Sequence, residues 1–135
     1  MDIKQGILWL ILTTFLESRN QPDIGQKNVV KVILNRAQKN NLSIMNTVLA
    51  RNQFSCYNNS LSETFNALIK DYQYIIPVTK NVNQAIYEWK NGSNLSGATH
   101  YYSPKAMIPL GKIPSWTKAM HIVKKDKKHI FLVEL

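Results

Sequence analysis

Acidic side chains are scarce. The 135 residues hold 8 Asp and Glu against 17 Lys and Arg, a formal charge of +9. Any catalytic carboxylate must therefore come from Asp2, Glu17, Asp23, Glu63, Asp71, Glu88, Asp126 and Glu134. The excess of bases predicts polyanionic surroundings (nucleic acid, an anionic membrane face or an acidic cell-wall polymer) without choosing among them. A lone Cys56 excludes an internal disulfide framework and a Cys-rich zinc site. His100, His121 and His129 lack metal-site spacing, and the glycines stand singly, so no phosphate-cradling loop is present. Neither a metal nor another cofactor is expected. The longest apolar run, Ile7 to Leu16, is too short to span a bilayer, and no small-residue cleavage site follows it. It reads as a buried first helix, with an atypical export signal as the alternative. The length suits one domain over residues 1–135, burying roughly two thirds of its unfolded surface.

What is present is mostly helical pattern. Ile3 to about Arg19 forms one helix, ended by Asn20 and Pro22. Val29, Val30, Val32, Ile33 and Ala37 lie on one face of a second, running from Asp23 to Asn40-Asn41. Ser43 caps a short helix through Ala50. Arg51 to Ser60 is a loop or small hairpin. Ser62 opens a helix with Phe65, Leu68 and Ile69 as its apolar positions. The chain bends around Tyr74–Pro77, and Val82 to Trp89 forms a further helix that stops at Asn91-Gly92. Gly97 to Ser115 is irregular and site-forming, Lys124 to Lys128 is a basic turn, and Ile130 to Val133 is a short strand. The expected fold is mainly α, an α+β domain with a small β hairpin or strand element.

Glu17 stands out by position. At the C-terminal end of an apolar helix, the negative end of the helix dipole and the neighbours Phe15 and Leu16 disfavour a charged carboxylate. A carboxylic acid in its neutral form is what general-acid attack on a glycosidic oxygen requires. The alternative is a structural ion pair with Arg19 or Arg36. Gln53-Phe54-Ser55 and His100-Tyr101-Tyr102-Ser103-Pro104 supply the flat faces and fixed polar groups that sugar clefts use. Trp9, Trp89 and Trp116 read as core, and Cys56 as a small buried side chain.

The order Glu17-Ser18-Arg19, Pro22, Gly25-Gln26 and Val32-Ile33-Leu34-Asn35-Arg36 resembles the opening of the SleB-type cell-wall hydrolases, the spore-cortex-lytic family. The likeness continues at Gln53-Phe54-Ser55-Cys56, at Gly97-Ala98-Thr99-His100-Tyr101-Tyr102-Ser103-Pro104, at Pro114-Ser115-Trp116, and in the last strand with His129 and Phe131. The resemblance implies a lysozyme-like fold acting on peptidoglycan glycan strands, with Glu17 at the catalytic position. It likewise implies a cleft formed by Ser18, Gln53, Ser55, His100, Tyr101 and Tyr102. Two residues depart from the family pattern: Asn20 replaces a usual glycine, and Gln21 replaces a frequent second glutamate.

Cleavage between N-acetylmuramic acid and N-acetylglucosamine follows as the expected activity, by lytic transglycosylase chemistry with Glu17 as acid and base. The alternative is a hydrolytic muramidase with a second carboxylate such as Asp23, which could instead cap the second helix. A non-catalytic wall-binding module and a basic nucleic-acid binder are rivals of another class. Against the latter, the lysines are spread out and no nucleic-acid motif occurs. The expectation is a monomer with no specific nucleic-acid partner. A phage endolysin released by a holin, or a lysin carried in a virion, fits a chain without an evident export signal or transmembrane segment.

Overall fold

The computed structural model of the chain describes residues 1–50, 54–102, 120–125 and 130–134. Along these run α1 (Ile3–Ser18), α2 (Asp23–Asn40), α3 (Ile44–Leu49), α4 (Leu61–Lys70) and α5 (Ile75–Lys90), then β1 (His100–Tyr102), β2 (Met120–Lys125) and β3 (Ile130–Glu134). Short 3-10 turns occupy Ser55–Asn58, Tyr72–Tyr74 and Leu95–Gly97. The fold is mainly α with a small antiparallel sheet, as expected.

Helix starts are set by local donors and acceptors. Asp2 accepts from the Gln5 N–H at 3.3 Å to open α1, and Ser43 accepts from the Asn46 N–H at 3.0 Å to open α3. The serine that caps α4 is Ser60, bonded to the Glu63 N–H at 3.1 Å, two residues ahead of the expected Ser62. Pro77 lies in the first turn of α5, where its missing N–H costs nothing, so the bend falls before it at Tyr72–Tyr74.

In α2 the expectation of one apolar face is corrected. Every residue from Asn28 to Ala37 is buried, because α1, α3 and α5 and the turn at Leu95–Gly97 all touch this helix. A helix covered on all sides is the axis of its domain. Val29, Val30, Ile33 and Leu34 join Leu10, Phe15, Ile44 and Val82 in the main core, while Val32 packs with Ala98 and Phe131 below the sheet. α4 is the reverse case. Phe65 and Ile69 are 54% and 72% exposed, and from this helix Leu68 reaches the main core. The ion pair from Asp71, the residue that ends α4, to Arg19, at 2.8 Å, ties the end of α4 to the end of α1.

The sheet has strand order β1-β3-β2, both pairings antiparallel, with Tyr101 opposite Phe131 and Ile122 opposite Leu132. β2 replaces part of the expected basic turn: Lys124 and Lys125 belong to a strand, with a bulge between Ile122 and Lys124. The remainder of that turn, 126–128, lies outside the described residues. Residues 54–60 contain a 3-10 turn and no hairpin. Among the described residues, no helix is long and apolar enough to cross a membrane.

Candidate active site

Glu17 occupies the last turn of α1 and is half-buried. The Cys56 N–H donates to its Oε1 at 3.4 Å. Burial pushes the Cys56 thiol well above its ordinary range, and the charge of Glu17 and a side-chain hydrogen bond to it push the same way. The thiol therefore stays protonated and remains a donor. Beside it, the Tyr57 hydroxyl and Thr13 Oγ1 stand 2.6 Å apart. Burial pushes the Tyr57 phenol up to about 12, with the hydrogen bond to Thr13 opposing and Cys56 and Glu17 adding.

Tyr101 on β1 forms another wall. It is half-buried, lies over Phe131 with ring centroids 6.0 Å apart, and is close enough to Glu17 to feel its charge. Desolvation raises its phenol far above the usual range; Glu17 raises it further, and the Arg36 guanidinium opposes them. A phenol kept neutral in this way keeps its O–H as a donor and its oxygen lone pairs as acceptors.

What aims β1 is the Asn35-Arg36 pair of α2. Asn35 Nδ2 donates to the carbonyls of Asn94 and Ala98, both at 2.8 Å, while its Oδ1 accepts from the Trp89 indole N–H at 2.8 Å. Arg36 Nε donates to the Thr99 carbonyl at 2.9 Å, and its guanidinium lies 5.5 Å from the Phe54 ring centroid. Between these anchors, Leu95, Ser96 and Gly97 take φ values of 57°, 54° and 79°. Two successive non-glycine residues in the left-handed region are strained, and such strain persists where surrounding contacts over-determine it. The Asn35-Arg36 side chains supply those contacts.

The ion-pair alternative for Glu17 is not what forms. Arg19 is spent on Asp71 and on the Phe15 and Leu16 carbonyls, and among the described residues no ion pair involves Glu17. Most of the other acids are engaged away from it. Asp2 caps α1, Asp71 holds Arg19, and Glu88 holds Lys27 and Lys31. Asp23, the expected second carboxylate, is exposed on the first turn of α2 and accepts from Asn81 Nδ2 at 3.0 Å. Glu63 is exposed in the first turn of α4.

Of the residues expected to line the cleft, the structure brings Tyr101 to Glu17. Ser18 is buried, and its hydroxyl donates back to the Thr14 carbonyl at 2.9 Å, so its own helix takes it up. His100 Nδ1 sits 2.9 Å from Thr99 Oγ1. Ser55 opens its 3-10 turn and Tyr102 pairs with Ile130 in the sheet. Gln53 lies outside the described residues, as do the side chains of Ser55 and Tyr102. Trp9 and Trp89 are half-buried against the core, and Trp116 also lies outside. Sequence reasoning missed Tyr57 and Thr13; the signal available was that Thr13 precedes Glu17 by four residues, one helical turn on the same side. A hollow of about 560 Å³ between Met1, Ile7, Ile86 and Lys90 opens near the far end of α1, about 20 Å from Glu17 by helical rise.

The sequence profile described as Cell Wall Hydrolase matches residues 20–132. The match begins three residues after Glu17 and takes in the Asn35-Arg36 pair, the Cys56 turn and β1 to Leu132. No curated protein and no solved structure matches the chain.

Proposed function

The chain belongs to the cell wall hydrolase family, and from that membership we propose that it cuts peptidoglycan glycan strands between N-acetylmuramic acid and N-acetylglucosamine, with Glu17 as the one catalytic acid and base. All 135 residues serve as one catalytic domain in this reading. The observation that carries it is the company Glu17 keeps: a backbone donor and a thiol from Cys56, a neutral phenol at Tyr101, and no ion pair among the described residues. The family supports degradation of the wall; the specific chemistry is inferred from this arrangement.

In the proposed mechanism the Glu17 carboxylic acid gives its proton to the glycosidic oxygen as the bond from that oxygen to C1 of the muramic acid breaks. The N-acetylglucosamine side leaves as an alcohol, and positive charge develops on the muramic-acid ring. Glu17, now a carboxylate steadied by the Cys56 N–H, takes the proton of the 6-hydroxyl of the same sugar. O6 bonds to C1, the product carries a 1,6-anhydro end, and Glu17 is protonated again. A second carboxylate is not needed, which fits the engagement of Asp2, Asp23, Asp71 and Glu88 elsewhere.

Because general acid–base catalysis contributes roughly 10² to 10⁴ in rate, Glu17→Gln is expected to lose nearly all lysis of purified peptidoglycan in a turbidity assay. A variant that still lyses removes Glu17 from the reaction. Mass spectrometry of the released fragments decides the outcome of the wild-type reaction: anhydro ends are expected, and reducing ends would mean hydrolysis by water with a second carboxylate.

A further inference from the structure

The surroundings of Glu17 depend on a stretch 39 residues along the chain. The 3-10 turn Ser55–Asn58 lies against α1, and one such turn has little stability by itself. Two contacts fasten it. Tyr57 Oη and Thr13 Oγ1 are 2.6 Å apart, and Thr13 is fully buried in α1. The Tyr57 ring also meets Trp9 edge-on, with centroids 6.0 Å apart and planes at 61°. Trp9, Thr13 and Glu17 recur every four residues and so run along one side of the helix. The turn is tied to that side, which is how the Cys56 N–H comes to face Glu17 Oε1.

We propose that Tyr57 and Thr13 form a latch that positions Glu17 for catalysis, by fixing the turn from which Cys56 holds one carboxylate oxygen. The inference rests on Glu17 being the acid and supplies a reason why that acid is aimed. Holding Oε1 at the amide fixes the orientation of the carboxyl that gives its proton to the glycosidic oxygen. Tyr57 and Thr13 are positioning residues and act through Cys56. The latch does not open by titration in the working range, since burial keeps the Tyr57 phenol protonated up to about 12.

The test compares Tyr57→Phe, Thr13→Val, the double variant and Thr13→Ser, measuring kcat and KM on soluble glycan strands well below each variant's Tm. Misplacement of a catalytic group by about 1 Å costs on the order of 10²-fold. Tyr57→Phe and Thr13→Val are therefore each expected to lower kcat by about 10- to 100-fold with KM unchanged. The double variant is expected to be no worse than either single one, because both remove the same bond. Thr13→Ser keeps the hydroxyl and is expected to retain wild-type kcat. Full kcat in Tyr57→Phe, additive losses in the double variant, or a loss in Tm with kcat intact would each overturn the latch. Glu17→Gln run beside them separates the two readings: an active Glu17→Gln removes the acid and the latch together. An inactive Glu17→Gln with a fully active Tyr57→Phe removes the latch alone.

Discussion

Lys31 carries an ammonium group into the middle of α2 with 3% of its side chain exposed. A charge in that position is tolerated when it is paired and hydrogen-bonded. Glu88 on α5 provides this: its Oε1 lies 2.7 Å from Lys31 Nζ, its Oε2 lies 2.9 Å from Lys27 Nζ, and Ser93 Oγ accepts from Lys31 at 3.0 Å. These hydrogen bonds, Lys31's first, hold the Glu88 carboxyl down to about 2 from the usual 4.5. A carboxyl whose folded value is depressed contributes stability above its unfolded value and loses it on acidification. The contribution is therefore complete above pH 4.5 and fades as pH falls towards about 2. Glu88→Gln leaves the Lys31 ammonium buried without a counter-charge and is expected to cost about 3 kcal/mol in urea unfolding at neutral pH. The same variant should lose stability less steeply than the wild type across that acid window. Equal stability at neutral pH would show that Lys31 needs no partner there. The pairing also takes Glu88 out of the short list of candidate catalytic acids, a deduction that needs the fold, since Lys31 and Glu88 are 57 residues apart.

At the scale of elements, the approach of α1 to α3 depends on Gly6. A Cβ at that position would lie 2.5 Å from Ile44 Cδ1 and 2.6 Å from Ile44 Cβ. Alanine gains about 1 kcal/mol of helix propensity over glycine, but overpacking a close crossing costs about 1–3 kcal/mol. The second term wins because the branched Cβ of Ile44 cannot swing away. Gly6→Ala is thus expected to lower Tm, and a variant as stable as the wild type would mean that the helices part without penalty. Gly6 and Ile44 show where sequence reading reaches its limit. The helix ends were legible because they are made locally: Asp2 and Ser43 cap within three residues, and Asn41 closes α2 in the left-handed region. The start of α4 was placed two residues late, at Ser62, because a serine at either position can cap and Ser60 is the one whose hydroxyl meets the Glu63 N–H. The tie between the ends of α1 and α4 was not legible, since the Arg19–Asp71 pair joins residues 52 apart. β2 lacks apolar alternation and exists because β3 can pair along both edges. In the candidate site, the sequence singled out Glu17 by its place at the end of an apolar helix and Tyr101 by its motif, and the fold brings the two near each other. Tyr57 was not legible, because a hydrogen bond across 44 residues leaves no periodic trace, and Thr13 offered only its place one helical turn before Glu17.

For the whole molecule, the net charge of +9 acts as a field, since the described cations do not gather into one patch. Arg19, Lys27 and Lys31 are consumed by Asp71 and Glu88 inside the fold. Exposed lysines are dispersed, with Lys4 on α1, Lys39 on α2, Lys70 on α4, Lys80 and Lys90 on α5, and Lys125 on β2. Charge spread in this way raises local concentration at an anionic wall without dictating which bond is cut. Its reach is the Debye length, about 10 Å at 0.1 M salt and about 3 Å at 1 M. The attraction between exposed charges should therefore collapse with salt, while the buried contacts around Glu17 should not. Sedimentation with purified walls is expected to lose most of the bound protein as salt rises to about 1 M, and lysis of intact walls should fall with it. Turnover of short, soluble glycan fragments at saturating concentration should change little over the same range, because in the proposed mechanism that step depends on Glu17 and its immediate contacts and not on the long-range field. If fragment turnover falls in step with wall binding, salt is acting on the site itself, and the charge has a more local task than attraction.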